Sequence, residues 1–100
     1  MLIRLQQDWT SHDIDTTVTD TFVTCRNLIL FLSPGRERWD LIFHCEDTAI
    51  ANHIFGAILS AWDSGARVIT IRHEKGCEYR NADGDYLYEE PILEIHRCNE

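Results

Sequence analysis

The sequence predicts a mainly β domain with one central helix, in the order three strands, helix, two strands. Between Asp47 and Gly65 the apolar side chains recur every four residues, which is the period of an amphipathic helix. On both sides lie short β-branched and aromatic runs separated by turn-forming residues, which is typical of strands. One hundred residues fit a single domain, residues 1–100, with a core expected over residues 16–98.

Three strands are predicted before the helix. Residues 16–24 are rich in threonine and valine with a loose alternation, as in a half-exposed strand. Residues 28–32 are apolar throughout, which indicates a central strand covered on both faces. A Pro34-Gly35 turn leads into a third strand over residues 38–45. The side chains expected on one face of that third strand are Trp39, Leu41, Phe43 and Cys45.

The helix has a start signal, a stop signal and one apolar face. Asp47 and Thr48 offer an oxygen for the N-cap, and Gly65 suits the position after the last turn. The wide apolar stripe predicted to face the core consists of Ile50, Ile54, Ile58 and Trp62, with Ala51, Phe55 and Leu59 in the adjoining row.

Two strands are predicted after the helix, over residues 68–73 and 92–97. Between them lies a polar segment whose turn residues are Asn81, Asp83, Gly84 and Asp85. A helix between the third and fourth of five strands is the arrangement of the OB-fold, a small Greek-key barrel. The same composition permits an alternative α+β fold, an open antiparallel sheet with one helix packed on it.

One run of sequence carries a family resemblance. Residues 57–71, AILSAWDSGARVITI, combine an alanine- and leucine-rich helix end, a glycine step and a β-branched strand; GCEY at 76–79 and ILEI at 92–95 follow. This pattern resembles small bacterial OB-fold proteins that are similar to the B subunits of subtilase-type cytotoxins, and the resemblance extends over residues 18–98. It implies a non-catalytic domain that assembles into a ring and binds glycans or a partner protein.

Charge and hydropathy indicate which partners the protein is expected to bind and in which compartment it is expected to lie. Seventeen acidic against nine basic residues give a net charge of -8, which repels phosphate backbones and argues against direct nucleic-acid binding. The longest apolar run, residues 28–32, is far short of the roughly 18 residues that a membrane span needs, so no membrane insertion is expected. The N-terminus lacks the pattern of a signal peptide, which predicts a cytoplasmic protein; an exported mature chain is the alternative.

The cysteines and histidines give no spacing typical of a metal site or a cofactor. Cys25, Cys45, Cys77 and Cys98 are an even set without a C-x-x-C pair, and we expect them to be thiols in a reducing compartment. If bridges form, Cys77 with Cys98 is the favoured pair because both flank the last hairpin. His73 and His96 are the histidines that pairing of the last two strands would bring together, but no zinc-type spacing supports a site.

The sequence predicts no enzyme. Ser60 and Ser64 lack a nucleophile elbow, and Cys45 alternates with apolar residues like a small buried hydrophobe. The NADGD run at 81–85 indicates a hairpin turn rather than a calcium loop, because its glycine comes too early for that motif.

The segment between the last two strands is the candidate contact surface, because tyrosine and arginine carry much of the binding energy at protein interfaces. Its candidate residues are Tyr79, Arg80, Asp83, Asp85, Tyr86 and Tyr88. The sequence permits equally that these tyrosines pack down on the barrel.

From the candidate contact surface we expect a binding module, a homo-oligomer, that recognises a protein, a small ligand or a glycan. The alternative is an acidic cytosolic inhibitor, of the kind mobile elements use against host defence enzymes, that blocks a basic nucleic-acid-handling protein with a patch built from Asp8, Asp13, Asp15 and Asp20.

Overall fold

The computed structural model describes residues 1–8, 10–16, 21–32 and 41–98. Over these residues the chain forms nine strands and one helix, so the prediction of a mainly β domain with one helix is confirmed. The elements are β1 (Leu2–Gln7), β2 (Thr10–Asp15), β3 (Thr21–Cys25), β4 (Leu28–Leu32), β5 (Leu41–His44), α1 (Thr48–Asp63), β6 (Val68–Glu74), β7 (Cys77–Arg80), β8 (Tyr86–Glu89) and β9 (Ile92–Cys98).

Four strands, β2-β1-β6-β9, form the larger sheet, called sheet A here. β1 runs parallel to β6, and the other neighbours are antiparallel. The first fifteen residues were expected outside the core, yet Ile3 and Leu5 are almost completely buried beside Ile69 and Ile71. The core therefore begins at the N-terminus, because β1 is an interior strand of this sheet.

Three strands, β3-β4-β5, form sheet B, with β4 at its centre as predicted. The predicted strand over residues 28–32 is confirmed with the same bounds. β3 and β5 cover only parts of the strands predicted over 16–24 and 38–45; residues 17–20 and 33–40, including Trp39, lie outside the described residues. β4 is apolar on both faces, since Ile29 and Phe31 face the core while Leu30 lies opposite Ile42 on the outer face.

One face of the helix packs on both sheets, with contacts to β3 and β4 of sheet B and to β6 and β9 of sheet A. Among the described residues the sheets are open ladders and none closes into the predicted five-stranded barrel. β1, β2, β7 and β8 were not predicted as strands. The architecture is thus two open sheets and a separate hairpin with one helix.

The predicted ends of α1 are confirmed. The Asp47 carboxylate accepts a hydrogen bond from the Ile50 backbone N–H at 2.8 Å, and Gly65 adopts φ +75° just after the last turn. In the predicted apolar stripe Ala51, Ile54 and Ile58 are fully buried, and Ile50 and Phe55 are partly buried. Leu59 and Trp62 were expected to face the core but are 46% and 44% exposed, although Trp62 stacks on Phe22 at 5.7 Å. No helix in the described part of the chain has both the length and the apolar character needed to cross a membrane.

A buried histidine joins the start of the helix to sheet A. His73 is fully buried; its Nε2 accepts from the Glu46 backbone N–H at 2.8 Å, and its Nδ1 donates to the Ile92 carbonyl at 2.9 Å. These partners require a neutral ring with the proton on Nδ1, because an N–H can only donate and a carbonyl can only accept. The ring therefore ties three separate chain segments together.

The register of β6 with β9 corrects two expectations about side-chain pairs. His73 lies opposite Leu93 and His96 opposite Thr70, so the two histidines point to opposite faces of the sheet. In the described residues no group of three or more histidine, cysteine, aspartate or glutamate side chains is placed to hold a metal. The hypothetical zinc pair of His73 and His96 is thus wrong.

The favoured disulfide is also excluded by this register. Cys98 lies opposite Val68 at one end of the β6–β9 ladder, which is about 20 Å long at roughly 3.3 Å per residue, and Cys77 lies beyond the other end. A disulfide needs Cα atoms within about 7 Å. All four cysteines are thiols, and burial raises the pKa of the Cys45 thiol to about 11.

Replacing His73 by leucine should lower the free energy of unfolding by about 2–4 kcal/mol, because the Glu46 N–H and the Ile92 carbonyl lose their partners inside the protein. Urea titration followed by circular dichroism measures the change. His53→Leu, at an exposed position of α1, is the matched control and should shift stability by less than about 0.5 kcal/mol. Equal stability of the two variants would show that the His73 bonds contribute nothing.

The Cys45 thiol should make stability fall at alkaline pH. Its pKa is about 11 when folded against 9.0 as the ordinary value, so its contribution is complete below pH 9 and is lost as the pH rises toward 11. Between pH 8 and pH 11 the wild type should lose about 2 kcal/mol relative to Cys45→Ala. A difference between the two proteins that does not change with pH would contradict this assignment.

Candidate functional site

The last two strands of sheet A continue beyond the sheet as a hairpin. Glu74 pairs with Ile92 at the end of the β6–β9 ladder, and after two residues on each side Cys77 pairs with Glu89 in the β7–β8 ladder. Both ladders keep the same register, so residues 68–98 are one long hairpin with a short interruption. Pro91 lies at that interruption and has no N–H to donate.

The outer half of this hairpin, residues 77–90, is called the arm. From its base to its tip it extends about 20 Å at roughly 3.3 Å per residue. The molecule is elongated, with principal extents of 51 × 33 × 22 Å, and the arm strands have their main contacts with each other. All eight residues of β7 and β8 are exposed, so the arm has no buried face of its own.

Large side chains occupy both faces of the arm. On one face Tyr79 lies directly opposite Leu87, and the two are 43% and 40% exposed. On the other face Tyr86 and Tyr88 are 77% and 56% exposed, and the Arg80 guanidinium lies 5.6 Å from the centre of the Tyr86 ring. The arm therefore presents aromatic surface in two directions.

At the tip of the arm a single asparagine side chain accepts two backbone hydrogen bonds. The Asn81 side-chain oxygen accepts from the backbone N–H groups of Asp83 and Asp85 at 3.0 and 2.9 Å. Gly84 adopts φ +85°, and its carbonyl accepts from the Arg80 guanidinium at 3.0 Å. Such a pre-formed turn loses little conformational entropy when it binds.

The base of the arm is fixed to the loop that precedes the helix. The Glu46 carboxylate accepts from the Gly76 backbone N–H at 2.9 Å, while the backbone N–H of Glu46 is bonded to His73. The Tyr88 ring lies over Gly76, where a Cβ would overlap the tyrosine hydroxyl. The orientation of the arm therefore depends on a glycine and on the helix entrance.

The arm carries an excess of negative charge. Five acidic residues stand against one arginine, for a net charge of -4 over residues 77–90. Among the described residues none of these acidic groups forms an ion pair. The acidic residues of the arm are Glu78, Asp83, Asp85, Glu89 and Glu90.

All six predicted contact residues lie on this arm, but they face different directions. Tyr79 is on one face, Arg80, Tyr86 and Tyr88 are on the other, and the two aspartates are at the tip. Leu87 was not among the residues predicted from the sequence. Leu87 lies between two tyrosines and is as far from the turn as Tyr79, which indicates that Tyr79 and Leu87 form a cross-strand pair. That these residues bind a partner stays a prediction.

A second surface feature is a shallow cleft of about 610 Å³ on the outer face of sheet A. It is lined by Gln6, Arg72 and Glu74 together with residues of the β1–β2 turn. Arg72 already contacts Glu74 at 3.3 Å and Glu94 at 3.6 Å, so its charge is compensated within the sheet. The cleft has a net negative charge, because Asp8 and Glu74 line it beside Arg72, the single cation among its described residues.

Comparison with protein-family models, with curated proteins and with solved structures gave no match for this chain. The resemblance to toxin B subunits therefore stays a prediction.

Replacing Asn81 by alanine should loosen the tip without unfolding the domain, because two backbone N–H groups lose their acceptor. We expect amide hydrogen exchange of Asp83 and Asp85 to accelerate about tenfold or more, with exchange in β6 unchanged. Asn52→Ala on the exposed helix face is the control. Unchanged exchange at the tip would contradict the assigned turn.

Proposed function

We propose that this chain is a non-enzymatic binding module that recognises a protein partner through its arm. The observation that carries the proposal is that four large side chains are exposed on a hairpin that has no core of its own. Exposed large aromatic and apolar side chains are typical of interaction sites. The four are Tyr79, Tyr86, Leu87 and Tyr88.

The shape and charge of the arm favour a particular class of partner. Small-ligand sites are concave, whereas the arm projects, so it fits a groove on a protein better than it encloses a small molecule. Its net charge of -4 favours a partner whose groove is flanked by lysine and arginine. The partner class is therefore a protein with a basic, partly apolar groove.

A photo-crosslinking amino acid at position 86 tests the proposal in an extract of the native cells. We expect Tyr86→p-benzoylphenylalanine to capture one basic protein that His53→p-benzoylphenylalanine, on the exposed side of α1, does not capture. Capture at both positions alike, or at neither, would overturn the proposal. With the captured protein purified, binding should weaken as the salt concentration rises.

Substitutions on the arm should separate binding from stability. Tyr79→Ser combined with Leu87→Ser should weaken the affinity for the captured protein at least about tenfold, because a cross-strand apolar pair is removed. Leu59→Ser is a matched control, since Leu59 is 46% exposed against 40% for Leu87 but lies on the helix. The melting temperatures of all variants should stay within about 2 °C of the wild type. Equal affinity of arm and control variants would contradict this assignment.

A second candidate function is an acidic inhibitor that occupies a basic nucleic-acid site. The inhibitor function is supported more strongly by the charge of the arm than by the acidic patch that the sequence suggested. In that patch Asp13 is paired with Arg4 at 3.2 Å, and Asp20 lies outside the described residues. If the captured partner binds DNA or RNA, the wild-type chain should displace the nucleic acid, and the Tyr79→Ser/Leu87→Ser variant should not.

A further inference from the structure

The two edges of sheet A differ in charge. β2 forms one edge and carries Asp13 and Asp15, so two copies of this edge would repel each other. β9 forms the other edge and is nearly balanced, with Glu94, His96 and Arg97. In a chain with a net charge of -8, β9 is therefore the edge of this sheet better suited to meet a copy of itself.

The sequence of β9 is complementary to itself when two copies run antiparallel around Ile95. In that register Glu94 of each copy lies opposite His96 of the other on the outer face of the sheet. On the inner face Ile95 meets Ile95, and Leu93 lies beside the aliphatic stem of Arg97. A carboxylate opposite an imidazole that can donate a hydrogen bond to it, together with apolar pairs, stabilises an antiparallel ladder, and the symmetry produces each unlike pair twice.

Shifting this register by one pair on each strand removes the complementarity. An axis at Glu94 brings the two glutamates together, and an axis at His96 brings the two histidines together. Within the chain Glu94 already lies 3.6 Å from Arg72 across the β6–β9 ladder. The axis at Ile95 therefore places Glu94 between Arg72 of its own chain and His96 of the second copy.

We propose that β9 pairs with β9 of a second copy, antiparallel around Ile95, and joins two four-stranded sheets into one eight-stranded sheet. This edge is separate from the arm, so the proposal goes beyond the binding function. Because the paired strands are antiparallel, the two arms leave the dimer at opposite ends and stay exposed. One dimer then presents two binding arms.

Sedimentation of the full chain over a concentration series tests the proposal. We expect the mass to approach twice the 11.7 kDa of one chain. Glu94→Lys alone removes the carboxylate opposite His96, and His96→Glu alone places two carboxylates opposite each other, so each should weaken dimerisation about tenfold. The double variant Glu94→Lys/His96→Glu again places a basic side chain opposite a carboxylate in both pairs and should restore dimerisation to within about threefold of the wild type.

Controls distinguish this interface from other causes of association. Asp13→Lys, on the opposite edge, should leave the dimer mass unchanged, and so should Tyr79→Ser/Leu87→Ser on the arm. Ile95→Cys should form an oxidised dimer whose bridge joins position 95 to position 95 in peptide mapping. A mass of 11.7 kDa at every concentration, or a double variant no better than the single ones, would overturn the proposal. Circular dichroism of each variant confirms that it is folded.

Discussion

His73 lies where the start of the helix, β6 and β9 meet, and hydrogen bonds occupy both of its ring nitrogens. Through the Glu46 backbone it fixes the loop whose carboxylate in turn holds Gly76 at the base of the arm. A buried polar ring must keep both of its hydrogen bonds. It therefore fixes how the three segments are placed relative to one another and also stabilises the domain. Both the packing of α1 and the direction of the arm depend on this junction.

The large apolar and aromatic side chains of the arm differ in exposure from those of the domain core. In the two sheets and the helix most isoleucine and phenylalanine side chains are buried or partly buried and stabilise the domain, whereas Val23, Ile42, Leu59 and Trp62 are exposed. On the arm, tyrosine and leucine are exposed on both faces of a two-stranded ladder that has no layer packed on it. Acidic residues around these side chains keep the exposed surface soluble and oppose edge-to-edge aggregation. This difference in exposure is the physical basis of the binding function proposed above.

The proposed binding surface and the proposed dimer interface lie on different parts of the same long hairpin. The arm extends β6 and β9 beyond the sheet, whereas the β9 edge lies within the sheet and is balanced in charge. Pairing two β9 edges would place two arms on one particle, and two linked binding sites raise the apparent affinity for a repeated or dimeric partner. Each proposal stands without the other, because different residues carry them.

The sequence alone determined the elements whose signals are local. The Asp47 cap, the four-residue apolar period of the helix and the uniformly apolar β4 each lie within one short segment, so composition and spacing predicted them. Tertiary structure decided what depends on distant residues: the parallel pairing of β1 with β6, the opposite faces of His73 and His96, and the arm as a continuation of the β6–β9 register. Local patterns give an element's type, but its neighbours and register depend on contacts between segments far apart in the chain.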